Sequence, residues 1–76
     1  MQDEHSEYHS TFAYVYIGER AFTLDEIWGG VDAAERAGVS LGEISRALTH
    51  NWTAAVTAIA LGNIGVLRAL VDEASP

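Results

Sequence analysis

The sequence predicts an α+β fold: an N-terminal β-hairpin followed by three or four short α-helices in one small domain. Three observations carry this expectation. The hydrophobic period changes from two to that of a helix at Thr23. Two segments, Thr23-Leu24-Asp25-Glu26-Ile27 and Ser40-Leu41-Gly42-Glu43-Ile44, each spell a helix start. Beyond them, Trp52 to Val71 holds a single charge, Arg68, and is broken at Gly62-Asn63.

Residues 1–10 read as a flexible acidic tail, and residues 11–76 as a single compact domain. From Thr11 to Ile17 the chain is rich in β-branched and aromatic residues, which suit a pleated strand. Gly18-Glu19 then offers glycine at the first central position of a two-residue loop, the requirement of a type II′ hairpin turn. In that register Val15 pairs with Phe22 and Ile17 with Arg20. Ala13, Val15, Ile17 and Phe22 share one face of the hairpin, and Phe12, Tyr14 and Tyr16 share the other. Both faces are apolar, so either could be the one that the helices cover.

In the first helix Leu24, Ile27, Trp28, Val31 and Ala34 follow helical spacing, with Asp25, Asp32 and Arg36 opposite. Thr23 and Glu26 have the spacing of a capping box, with Phe22 and Ile27 as its hydrophobic staple. Gly38 stands where a left-handed residue ends a helix. The same capping device recurs seventeen residues later at Ser40 and Glu43, with Val39 in place of Phe22, and starts a second helix from Leu41 to about Thr49. A third runs from near Asn51 to Gly62, and a fourth from Ile64 to about Ala74, capped by Asn63. In the fourth, Ile64, Leu67, Leu70, Val71 and Ala74 face inward. The third carries no charge, which suits either the central helix of the domain or an interface.

Composition narrows the function classes. The chain has 76 residues, eleven carboxylates, four arginines, no lysine and no cysteine, for a net charge of −7. Disulfides and thiolate metal sites are thereby excluded, and the lack of cysteine fits a cytoplasmic location. A domain this short has a modest core and profits from a partner or a second copy, so a homo-oligomer is possible. Nucleic-acid affinity comes chiefly from basic side chains that release counterions, so direct binding of nucleic acid is not expected. The expected partner is a protein with a basic surface, which the acidic field would steer. No signal peptide is visible at the acidic, polar N-terminus. Trp52–Val71 reads as two short helices rather than a membrane span, because Gly62 and Asn63 fall at its middle.

Few residues suggest chemistry. Glu4, His5, Glu7 and His9 have metal-ligand types, but a polar tail has no rigid frame to support a metal site. There is no nucleophile elbow and no glycine-rich phosphate loop; Gly29-Gly30 lies inside a helix. Asp25/Glu26 and Asp72/Glu73 are sequence neighbours, which point in different directions on a helix. His50 stands near a helix end, where it could cap carbonyls. The chain is therefore read as a non-catalytic protein with neither cofactor nor metal.

Two motifs resemble known families. Leu41 to Leu48 followed by Asn51 to Leu61 is similar to a helix-turn-helix, although Thr49 replaces the turn glycine and the second helix has no long reader of base edges. Thr53 to Pro76 resembles one ankyrin-type helix pair, the local match being Ala58-x-x-x-Gly62-Asn63 followed by Val66 to Val71, with Ala54-Ala55-Val56 where the family has Pro-Leu-His and without a second repeat. In size and charge the chain is similar to phage-encoded inhibitors of restriction or CRISPR systems (anti-CRISPR proteins among them), although no motif is shared. The best-supported expectation is a protein-binding module, a small acidic inhibitor that covers a basic, nucleic-acid-binding surface of its partner. Its contacts would be Phe12, Tyr14 and Tyr16 as anchors, with Glu19, Asp25 and Asp32 as charges. The alternative is a homo-oligomeric helix-turn-helix-like regulator or adaptor, with the uncharged third helix as its seam.

Overall fold

The structure, a computed structural model, describes residues 14–75. A two-stranded antiparallel hairpin, β1 (Tyr14–Ile17) and β2 (Arg20–Thr23), leads directly into four helices. These are α1 (Leu24–Arg36), α2 (Leu41–His50), α3 (Trp52–Leu61) and α4 (Ile64–Ala74). The α+β architecture is the expected one, and the helix count resolves to four. The acidic tail, Phe12 and the Glu4, His5, Glu7 and His9 group lie outside the described residues.

The hairpin register matches expectation, with Val15 opposite Phe22 and Ile17 opposite Arg20. Gly18 has φ +62° while among the described residues no residue other than glycine has positive φ, so Glu19 lies in the ordinary region. Positive φ at the first central position alone defines the type II′ turn, whose twist matches that of the strands it joins. Helices cover the aliphatic face: Phe22 is buried, and Val15 and Ile17 are half-buried. Tyr14 and Tyr16 stay exposed on the other face.

Both capping boxes are complete. The Glu26 N–H donates to Thr23 Oγ1 (3.0 Å) and the Thr23 N–H donates to Glu26 Oε1 (2.8 Å). At α2 the Glu43 N–H donates to Ser40 Oγ (3.1 Å) and the Ser40 N–H to Glu43 Oε1 (2.9 Å). Helix α1 ends in a Schellman motif: the Val39 N–H donates to the Ala34 carbonyl (2.9 Å) and the Gly38 N–H to that of Glu35 (3.0 Å). Its last carbonyls gain a further donor, because the Arg68 guanidinium on α4 reaches Ala37 O. Between α2 and α3 there is one residue, Asn51. It closes the first helix by donating to Ala47 O (2.9 Å) and opens the second through Oδ1, which accepts from the Ala54 N–H at 3.2 Å.

Thr23→Ala and Ser40→Ala should each lower unfolding free energy by about 1 kcal/mol, since each leaves helix N-terminal donors without a partner. Urea denaturation followed by circular dichroism measures this, and an unchanged midpoint would contradict the capping role. Glu43 adds a pH dependence. Its bond from the Ser40 backbone N–H holds its carboxyl below the ordinary glutamate range. A lowered folded pKa means the contribution is present above the ordinary value of roughly 4.3 and is lost as pH falls through the folded value. Glu43→Gln should therefore flatten this part of the acid-unfolding curve.

Helix α3 is the central element. It packs against α1, α2 and α4, and buries Ala55, Val56, Ala58 and Ile59. Helix α4 buries Leu67, Leu70 and Val71 against α2 and α3. Helix α1 meets α3 through small residues: Gly30 and Ala34 are buried, and a Cβ at Gly30 would sit 1.9 Å from the Ile59 carbonyl oxygen. The full apolar stripe of α1 is not core, however. Leu24 and Trp28 stay exposed, because the side of the helix that docks is the one with the small residues. No polar or charged residue is buried among the described residues.

Candidate functional site

Helices α1 and α2 both pack on α3 but meet each other only slightly, so they diverge above it and leave a groove. Leu24, Ile27, Trp28 and Val31 of α1 form one wall. Leu41, Ile44, Ser45 and Leu48 of α2 form the other. Val56 and Ile59 of α3 make the floor, and Trp52 and Val15 complete the lining around a volume of about 390 Å³. Apart from the indole N–H groups of the two tryptophans, the only polar side-chain group among these twelve is the Ser45 hydroxyl. Helical spacing explains both walls, since positions three and four apart share a face: 24, 27, 28 and 31 on α1, and 41, 44, 45 and 48 on α2.

Trp28 is 66% exposed and Trp52 is 51% exposed, and Leu41 is also largely in solvent. Large apolar side chains on a shared concave surface mark an interaction site more often than scattered exposed ones do. Around Trp28 the α1 surface is acidic. Asp25 precedes it by three positions, Asp32 follows by four and Glu35 by seven, so all three neighbour it along the helix. All three are exposed. Asp32 pairs with Arg36 at 2.7 Å, an exposed i,i+4 contact of small energetic weight. Asp25 and Glu35 have no ion-pair partner among the described residues.

The structure divides the residues singled out from sequence into two places. Asp25 and Asp32 flank the groove. Tyr14, 37% exposed, and Tyr16, 70% exposed, lie on the opposite hairpin face from Val15, which lines the groove. Their rings are 6.2 Å apart and tilted by 31°, a paired aromatic patch on a separate surface. Glu19 stands exposed in the hairpin turn. His50 does not cap its own helix; its Nε2 lies 3.4 Å from Glu73 Oε1 on α4. Sequence reasoning assigned Trp28 to the core stripe of α1 and gave Leu41 and Trp52 no site role. The stripe of α1 has the ordinary width of a helix packed on a core, so it carried no signal that Trp28 would stay outside.

No helix among the described residues is long and apolar enough to cross a membrane. Comparison with known proteins finds no family model, no curated protein and no solved structure that matches this chain.

Proposed function

We propose that this chain is a non-catalytic protein-binding module, an acidic inhibitor that covers a basic, nucleic-acid-binding surface of a cytoplasmic partner protein. The observation that carries the reading is the open apolar groove with Trp28 and Trp52 at its rim. Tryptophan on a concave surface that a partner covers is among the residue types that most often dominate binding energy. The surplus of eleven carboxylates over four arginines supplies long-range attraction to a basic partner. The regulator alternative has less support. Helix α3, which would have to read DNA or form a dimer seam, packs against the other three helices, and its exposed positions are Trp52, Thr53 and Leu61.

The test is capture from bacterial lysate on the immobilised chain, compared with a Trp28→Ala, Trp52→Ala variant whose fold is verified by circular dichroism. The wild type should retain a basic protein that the variant loses, and the retained protein should no longer bind duplex DNA while held. Reversing Glu19, Asp25 and Asp32 to arginine should slow association, because exposed charges act mainly through steering. Tyr14→Ala with Tyr16→Ala should speed dissociation if the tyrosine patch is a second anchor, by about 2 kcal/mol for a hot spot. Identical retention by wild type and the tryptophan variant would overturn the reading. So would salt-dependent duplex binding by the chain itself, tighter than the non-specific range of ~10⁻⁴–10⁻⁶ M.

A further inference from the structure

We propose that the groove receives an amphipathic α-helix of the partner, which seats apolar side chains between Trp28 and Trp52 and lays a basic flank along Asp25, Asp32 and Glu35. This inference rests on the protein-binding reading and specifies what is bound.

The lining chooses the backbone of the occupant. Eleven of the twelve lining residues present only apolar side chains or tryptophan rings, and the twelfth offers one hydroxyl. The lining elements are three helices and one residue of a paired strand, so nearly all their backbone groups are already bonded within those elements; the exceptions are the N–H groups of Leu24, Leu41 and Trp52, which begin their helices. An extended segment placed there would turn one edge of its N–H and C=O groups onto apolar side chains, which offer them no partners. A helix brings its backbone bonds with it and needs only an apolar stripe. A small free ligand would find one hydroxyl, at Ser45, and the indole N–H groups of two largely exposed tryptophans, with no charged side chain in the lining to orient it.

Charge chooses the rest. The carboxylates of Asp25, Asp32 and Glu35 occur along α1 over eleven residues, about three turns, beside the Trp28 rim, with Asp32 shared with Arg36 in an exposed ion pair. A helix lying along the groove passes them in succession, so lysine or arginine beside its apolar stripe meets opposite charge. A second copy of this chain would bring another −7 and place acidic α1 surfaces near each other. The first thirteen residues, with Asp3, Glu4 and Glu7 and no arginine, carry the same sign as the rim. Binding an amphipathic helix by its apolar face is an established recognition mode, and here the acidic wall selects for a basic one.

The experiment uses the full chain and three fluorescein-labelled synthetic peptides of equal length, about five helical turns. The first has leucines at i, i+3, i+4 and i+7 spacing with lysine and arginine elsewhere. In the second, glutamate replaces the basic residues. The third has the composition of the first with its leucines alternating. Anisotropy titration should show the first binding at least roughly tenfold tighter than either other, with affinity falling as salt rises. Trp28→Ala and, separately, Leu41→Glu should each weaken it by roughly tenfold or more, with the far-ultraviolet spectrum of the chain unchanged. Asp25→Lys with Asp32→Lys should reverse the preference toward the glutamate peptide.

Equal binding of the alternating peptide would overturn the helical occupant, and indifference to peptide charge would overturn the basic flank. A doubled mass by light scattering that Leu41→Glu halves would show a second copy in the groove and overturn the proposal. Failure of all three peptides, with lysate capture still dependent on Trp28 and Trp52, would overturn the helix and leave the protein-binding reading standing. Failure of both would remove both.

Discussion

Gly30→Ala is expected to remove a large share of the stability of the fold, although alanine is ordinarily the better helix former by about 1 kcal/mol. The added Cβ would lie 1.9 Å from the Ile59 carbonyl oxygen and 2.6 Å from its carbonyl carbon. Those atoms belong to the backbone of α3 and cannot turn aside as a side-chain tip can. Restoring normal contact requires α1 and α3 to move apart by more than an ångström, which opens the packing of Ala34 against the core. Overpacking of this kind costs about 3 kcal/mol or more when backbone must shift. A domain of this length has about 4–11 kcal/mol in total. Gly29→Ala is the matched control: nothing lies within 4 Å of its Cβ position, and it should stabilise by roughly 0.5–1 kcal/mol. Opposite signs at adjacent glycines, read from urea midpoints, are the expected result. Equal stability of the two variants would mean that α1 and α3 are not packed as closely as the structure has them.

Leu67→Ala should lower unfolding free energy by about 2–5 kcal/mol, the range for a leucine whose removal leaves a cavity. Leu67 is fully buried on α4, within the cluster formed by Ile44, Ala47, Ile59 and Leu70. Leu61→Ala, at an exposed leucine of α3, should change stability by only about 0.5 kcal/mol. The comparison bears on function through Trp28. A residue 66% exposed should behave like Leu61 in unfolding and like a buried anchor in partner binding. If Trp28→Ala instead destabilises as strongly as Leu67→Ala, Trp28 is core and the groove is closed in solution.

The parts of the fold legible in the sequence are those whose physics is local. A capping box joins residues three apart, so Thr23 with Glu26 and Ser40 with Glu43 locate two helix starts without reference to the rest of the chain. The hairpin register follows from Gly18-Glu19, because a two-residue turn fixes which residues face each other. The inward face of α4 follows from one helical stripe, all of which is covered at least in part. Helical spacing also puts Asp25 and Asp32 beside Trp28 wherever α1 packs, although measured from the stripe as a whole they fall opposite.

The tertiary structure alone decided which part of an apolar surface is covered. On the hairpin, both faces were apolar, and the burial of Phe22 by the helices left Tyr14 and Tyr16 outside. On α1, the stripe through Leu24, Ile27, Trp28, Val31 and Ala34 gave no sign of its own division into a docked edge and an open wall. That division comes from the contact between Gly30 and Ile59, twenty-nine positions apart, which draws the small-residue side of α1 onto α3 and turns Trp28 away. A periodic pattern reports that a face avoids water. Whether this chain or another molecule covers that face depends on backbone approach between distant helices, and here one missing Cβ sets it.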